Sequence, residues 1–323
     1  MAKTWKRLII GLCLAAGVST VGGCTFFTHR IFGHRQPYVT ATRLQRGLII
    51  VLPGIEGRSS LNQAICDGLN DGGVNQAIEL YDWTSSLGML ANLRASSRNH
   101  GQARDLALRI VRYQTAYRDR PVLLVGQSGG AAIAAWTAEA LPRGAKVDGI
   151  IMIAPSLSPD YDLALALSNS RRGIVTFHSS KDWLLLGVGT TIVGTMDGEH
   201  TQSAGRVGFV EPEDGGHTKA YRKLFQVAWQ KQMSDKGFTG SHLSSGAREF
   251  VSTFLAPLVK RETWSEEAVD RIVKEEVEEP TPVAPAPSAP SRSKSAKRPA
   301  DKTPGKAPGE NGSLQPPVID MTP

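Results

Sequence analysis

Cysteine is scarce: the 323 residues include three, Cys13, Cys24 and Cys66. That is too few for a disulfide-stapled scaffold, so the fold has to be held by its core. A phosphate-cradling loop of the form G-x-x-x-x-G-K followed by Ser or Thr is missing, which removes a nucleotide-binding reading of the Gly-rich turns. No aromatic residues interleave with basic ones and no nucleic-acid reader motif occurs, so the net charge of +7 does not point to nucleic acid. The apolar segment Leu8 to Val21 is too short to span a bilayer comfortably as a permanent helix. What is present, 41% hydrophobic and 21% charged, suits one globular domain of ordinary core size with non-globular sequence at both ends.

The N-terminus carries Lys3, Lys6 and Arg7, then the apolar segment, then "VSTVGGC". A basic region, a short apolar run and small residues read as an export signal. Val21-Gly22-Gly23-Cys24 resembles the lipobox of bacterial lipoproteins, with Val at the third position before the cysteine where Leu is commoner. The resemblance implies cleavage before Cys24, lipidation of Cys24 and a membrane-anchored protein at the cell envelope; an N-terminal anchor helix is the alternative. Residues 1–23 are then the signal and 24–40 a tether. Cys13 would leave with the signal, which strands Cys66 alone in the helical stretch "LNQAICDGL", where a packed role is expected.

The other end changes character after about Val277. Residues 278–323 are Pro, Ala, Ser and Lys with almost nothing to bury, and are expected to stay extended and disordered. Their basic residues supply part of the net charge, so it says little about the domain over 41–277; contact with an anionic envelope surface is the mild alternative.

Between these ends apolar runs alternate with helical stretches. "RGLIIVLPG" (46–54), "NQAIELYDW" (75–83), "RPVLLVGQS" (120–128), "KVDGIIMIAPS" (146–156) and "RRGIVTFHSSKD" (171–182) read as buried strands, and "KLFQVAW" is strand-like. "SSLNQAICDGLND", "GQARDLALRIVRYQTAYR" (101–118) and a pattern around Tyr161 to Leu167 read as helices. Short strands apolar on both faces, separated by helices, predict an α/β fold: a mostly parallel central sheet with helices on both faces. Working residues then gather in loops at the carboxyl ends of the strands.

Gly126-Gln127-Ser128-Gly129-Gly130 fits G-x-S-x-G at a strand-to-helix turn. A serine at so tight an apex takes strained backbone angles, and side chains two residues to either side would collide with the neighbouring strand and helix. The plain alternative is a turn whose serine caps the helix.

On these motifs and the strand rhythm, residues 45 to 260 resemble the α/β-hydrolase superfamily. There the acid and then the histidine follow the serine in chain order. The resemblance implies Asp182 in "IVTFHSSKDWLL" as the acid, 54 residues after Ser128. For the histidine it leaves His217 in "EPEDGGHTKAY", 35 residues after the acid, and His242 in "GFTGSHLSSGAREFVSTFLAPLV", 60 after it. His242 directly precedes an amphipathic final helix and is preferred. His178 lies inside the strand before Asp182, where packing is expected. Gly129, just after the nucleophile, would give one oxyanion-hole N–H. By likeness to the superfamily's His-Gly-x loop, Ile55 in "LPGIEGRSS" would give the other, with Pro53 in place of the histidine.

These roles imply a serine esterase or lipase: attack of Ser128 on the carbonyl of a small-molecule or lipid ester or thioester, passing through an acyl-serine, with no metal or organic cofactor. "YDWTSSLGML" and "DWLLLGVGTTIVG" could line an apolar acyl pocket or could be core. A second class stays open: an inactive hydrolase-fold lipoprotein serving as a binding module at the envelope.

Overall fold

Isoleucine, leucine and valine fill strands too short to serve any purpose but burial. A computed structural model describes residues 36–182, 194–212 and 218–274. Six strands run through them: β1 (Leu48–Leu52), β2 (Ala77–Leu80), β3 (Val122–Gln127), β4 (Gly149–Ile153), β5 (Ile174–His178) and β6 (Leu224–Ala228). All five pairings are parallel, in the order β2-β1-β3-β4-β5-β6.

The period-2 alternation of a strand decides which residue meets which helical layer. Leu48, Ile50, Leu52, Leu124, Ile150 and Met152 pack into one apolar cluster, while Ile49, Val51, Leu123, Val125, Ile151 and Ile153 pack into the other. Two helices cover the first face, one at Ser96–Ala116 and one at Gly129–Glu139; on the second lie a helix at Ser60–Asp71 and the helical segment from Arg248 to Lys260. In chain order these are α1 (Ser60–Asp71), α2 (Ser96–Ala116) and α3 (Gly129–Glu139). The Arg248–Lys260 segment combines Arg248–Phe250, a π turn at Val251–Leu255, and Ala256–Lys260, and a further helix, Glu266–Lys274, follows it. Pro257 has no N–H to donate, and the wider π turn falls just ahead of it.

This is the expected mostly parallel sheet with a helical layer on each face. Strand order is what positions the site. From β1 the chain moves outward to β2, then returns across β1 to form β3, so β1 and β3 are neighbours whose outgoing loops diverge. Their ends lie level, with Leu52 paired to Gly126. Such a crevice at the carboxyl end of a parallel sheet is where a ligand can enter between loops.

The tether assigned to 24–40 needs correcting at its far end. The Gln36 amide donates to the Leu80 carbonyl at 2.9 Å and accepts from the Leu80 N–H at 3.1 Å, and the Tyr38 hydroxyl donates to Asp67 at 2.9 Å. Residues 36–40 therefore belong with the domain, where Gln36 satisfies the edge of β2 as a neighbouring strand would. Cys66 is packed as expected: burial pushes its thiol up to about 12, which leaves it without thiolate character.

Candidate active site

Ser128 follows β3 directly and takes φ 55° and ψ −121°, one of three non-glycine residues with positive φ among the described residues. Holding a non-glycine residue there costs on the order of 1–3 kcal/mol, and the surroundings must enforce it. Backbone bonds do so: the Ser128 N–H donates to the Ile153 carbonyl at 2.9 Å, and the Ser128 carbonyl accepts from Ala131 and Ser156, both at 3.1 Å. The side chain makes no capping hydrogen bond to α3, so the helix-cap alternative fails. The flanking glycines are required by space. A Cβ on Gly130 would lie 2.1 Å from the Leu52 carbonyl oxygen, and one on Gly126 would lie 2.5 Å from the Gly130 oxygen.

The β1 loop crosses the start of α3. A Cβ on Gly129 would stand 2.8 Å from Ile55 Cγ2, so the two residues expected to supply N–H groups are adjacent. Among the described residues, neither the Ile55 nor the Gly129 N–H donates a hydrogen bond. The Gly54 carbonyl accepts from the Gly57 N–H at 3.0 Å, and because a peptide's C=O and N–H point opposite ways, this turns the Ile55 N–H out of the loop's own turn. The Ile55 carbonyl accepts from Asn92 Nδ2 at 2.9 Å, and the Pro53 carbonyl from the indole of the fully buried Trp83 at 2.7 Å. Asn92 and Trp83 are positioning residues that the sequence did not reveal. Trp83 is thus core, whereas Leu87, Met89 and Leu90 of the same stretch are exposed.

Asp182 and His242 come together from opposite ends of the second half. Asp182 closes a turn after β5 in which its N–H donates to the Ser179 carbonyl at 2.8 Å. Its Oδ2 lies 3.0 Å from His242 Nδ1, and both side chains are buried. His242 opens a short turn ahead of the Arg248–Lys260 segment, which is followed by one more helix, Glu266–Lys274, and Ser245 Oγ donates to the His242 carbonyl at 2.7 Å. A proton on Nδ1 shared with Asp182 leaves Nε2 as the acceptor, and this nitrogen lies 3.4 Å from Nε2 of Gln127, the residue before Ser128. Among the described residues no hydrogen bond joins Ser128 Oγ to His242. Serine, imidazole and carboxylate are brought to one end of the sheet, with a glutamine amide against the imidazole.

The other candidates fall elsewhere. His217, Cys24, residues 183–193 and the tail lie outside the described residues. His178 is half-buried at the end of β5, and burial holds its pKa below the usual histidine value. Glu56, next to Ile55, is a carboxyl the sequence did not single out; its pKa is pushed above the usual range, first by burial, with His242 among the groups that oppose the rise. Among the described residues no group of three or more His, Cys, Asp or Glu side chains could hold a metal ion, and no helix is long and apolar enough to cross a membrane.

No protein-family model matches the chain, and no curated protein sequence matches it. Solved structures of related shape include lipase B of Aspergillus fumigatus, 12% identical with a TM-score of 0.45, over 74% of this chain and 59% of the lipase. Esterase B of Lactobacillus rhamnosis is 12% identical with a TM-score of 0.38, over 85% of this chain and 98% of its own. A dienelactone hydrolase-like promiscuous phosphotriesterase from metagenomic libraries is 14% identical with a TM-score of 0.39, over 66% and 85%. The chain spans little more than half of the lipase's length, and no chemistry is transferred from any of these likenesses.

Proposed function

We propose that the protein is a serine hydrolase of the α/β-hydrolase type that cleaves a carboxylic ester or thioester through an acyl-Ser128 intermediate. The observation that carries this is the strained Ser128 turn at the end of β3, beside a buried Asp182–His242 pair and next to two N–H groups that have no hydrogen-bond acceptor among the described residues. His242 Nε2 takes the Ser128 proton as Oγ attacks the substrate carbonyl. Asp182 fixes the tautomer and stabilises the imidazolium. The Ile55 and Gly129 N–H groups receive the oxyanion, each worth about 3 kcal/mol in the transition state. His242 then passes its proton to the leaving alcohol or thiol. Water, deprotonated by the same histidine, releases the acid and returns the proton to Ser128.

Before His242 can act as base towards Ser128, the Gln127 amide must give up its place at Nε2, a small side-chain rotation. The enzyme is further proposed to be exported and lipidated at Cys24, so that it meets its ester at the membrane surface. The test of the chemistry is labelling by a fluorophosphonate together with hydrolysis of short p-nitrophenyl esters. Ser128→Ala should abolish both. Asp182→Ala or His242→Ala should slow acylation by about 10⁴-fold, because such residues act as a unit, and His217→Ala far less. Persistent labelling of the Ser128→Ala protein would sink the assignment, and a native chain that takes no label would return the fold to a binding role.

A further inference from the structure

Glu56 is a titratable group that the reaction above does not use, and its surroundings lead back to the base. In the loop after β1, Glu56 Oε2 and Gln127 Oε1 converge on one point: a Cβ on Gly54 would lie 2.2 Å from the first oxygen and 2.9 Å from the second. Gln127 is 1% exposed, and its Oε1 has no hydrogen-bond partner among the described residues. The other end of the same amide reaches the histidine, with Nε2 at 3.4 Å from His242 Nε2 and 3.4 Å from Ser245 Oγ. A carboxyl, an amide and an imidazole therefore stand in a row, continued by Asp182 on the far side of the ring at 3.0 Å.

We propose that Glu56 is a positioning residue for the base: a second carboxyl that acts on His242 from its Nε2 side, through the Gln127 amide. The proposal rests on the serine-hydrolase reading for its meaning in catalysis. The two distances from the Gly54 Cβ position put the oxygens within about 5 Å of each other, and in the proposed arrangement they close on a shared proton. A neutral Glu56 donates to Gln127 Oε1, and the amide NH2 then donates to the lone pair of a neutral His242. An ionised Glu56 draws the NH2 to itself. The amide turns over about its last torsion and offers Oε1 to Nε2, which suits an imidazolium carrying a proton there. The charge on Glu56 thereby favours the charge on His242, and the amide orientation follows both. The groups around Glu56 agree with this. The Ser59 hydroxyl, at the N-cap of α1, lies 3.5 Å from Glu56 Oε1, the Gln127 amide oxygen comes from β3, and His242 is the charged group acting on it.

The experiment is a pH titration of the His242 imidazole by NMR in the full chain carrying isotope-labelled histidine, the resonance identified by its loss in His242→Ala. Alongside it runs the pH profile of fluorophosphonate labelling. In Glu56→Gln the imidazolium loses its second carboxylate. Its titration, and the acid limb of the labelling profile, should move to lower pH by about half a unit, roughly threefold in rate on that limb. Gln127→Met has a side chain of the same length without the amide, and in that background the effect of Glu56→Gln should fall to less than half. Where Glu56→Gln destabilises the fold, Glu56→Asp, which keeps the charge, should restore most of the native titration. A His242 titration that coincides in the native and Glu56→Gln proteins overturns the proposal, and so does an undiminished effect in the Gln127→Met background. The NMR readout needs no turnover. A native chain that takes no label but shows the shift refutes the hydrolase reading and leaves the coupling standing.

Discussion

Replacing Asn92 by Ala should cost both turnover and folding stability, and the size of each loss follows from four contacts. Asn92 Oδ1 accepts from the Ser85 N–H and the Ser85 hydroxyl, both at 2.8 Å; Nδ2 donates to the Ile55 carbonyl at 2.9 Å and more weakly to the Ser85 carbonyl at 3.4 Å. Three good bonds at a net ~0.5–1.5 kcal/mol each put the stability loss at about 2–4 kcal/mol, within reach of a urea titration. The Ile55 carbonyl then loses its tie, and the peptides on either side of Ile55 are free to swing. An oxyanion donor that no longer points at the developing charge loses up to about 3 kcal/mol of transition-state stabilisation, close to 100-fold in kcat. KM should change little, because the ground-state carbonyl carries little charge to bind. The assay is kcat and KM on a p-nitrophenyl ester at a temperature where the variant is folded. A variant destabilised by the expected amount with unchanged kcat would refute the link between Asn92 and the oxyanion donor, and with it the role of Ile55.

Three other outcomes follow from the same structure. Burial pushes the Glu139 carboxyl up to about 7 from its ordinary 4.5, with Tyr161 donating to both its oxygens at 3.0 Å; a carboxyl raised by folding is stabilising to keep neutral, so the native protein should lose stability as pH rises from about 4.5 through 7. That loss is at most roughly 3 kcal/mol before discounting for partial exposure, and Glu139→Gln should flatten the curve in thermal melts taken across this range. Gly130→Ala puts a methyl against the Leu52 and Pro53 carbonyl oxygens, at 2.1 and 2.5 Å, so it should destabilise by about 3 kcal/mol and displace the β1 loop. Loss of fluorophosphonate labelling in the folded fraction is the readout. Cys24→Ser should abolish metabolic labelling with palmitate and release the protein to the soluble fraction; an uncleaved, membrane-bound Ser variant would show an anchor helix in place of the lipid.

The strands were legible because a parallel sheet buried on both faces writes itself as short unbroken apolar runs, and all six lie within the runs read from the sequence. Ser128 was legible because its requirements are local. The turn needs small neighbours two residues away on either side, and Gly126 and Gly130 stand there. The partnership of Asp182 with His242 rested on chain order, since nothing in a sequence measures the 3.0 Å between residues 60 apart. The edge-capping role of Gln36 has no signal in the sequence, because one side-chain amide acting as a strand neighbour leaves no periodicity.

What the sequence could not show has a common cause. Trp83 reaches Pro53 across 30 residues, Asn92 reaches Ile55 across 37, and Gln127 reaches His242 across 115. Each is a single hydrogen bond from a side chain to a site that only the completed sheet brings near. The β1 loop illustrates the consequence. Pro53 offers no side-chain donor or acceptor to hold the loop. Its carbonyl is held instead by the Trp83 indole, and the next turn by Asn92 and by the Gly57 N–H. Loop position is thus set by backbone carbonyls gripped from the segment after β2 and from within the loop.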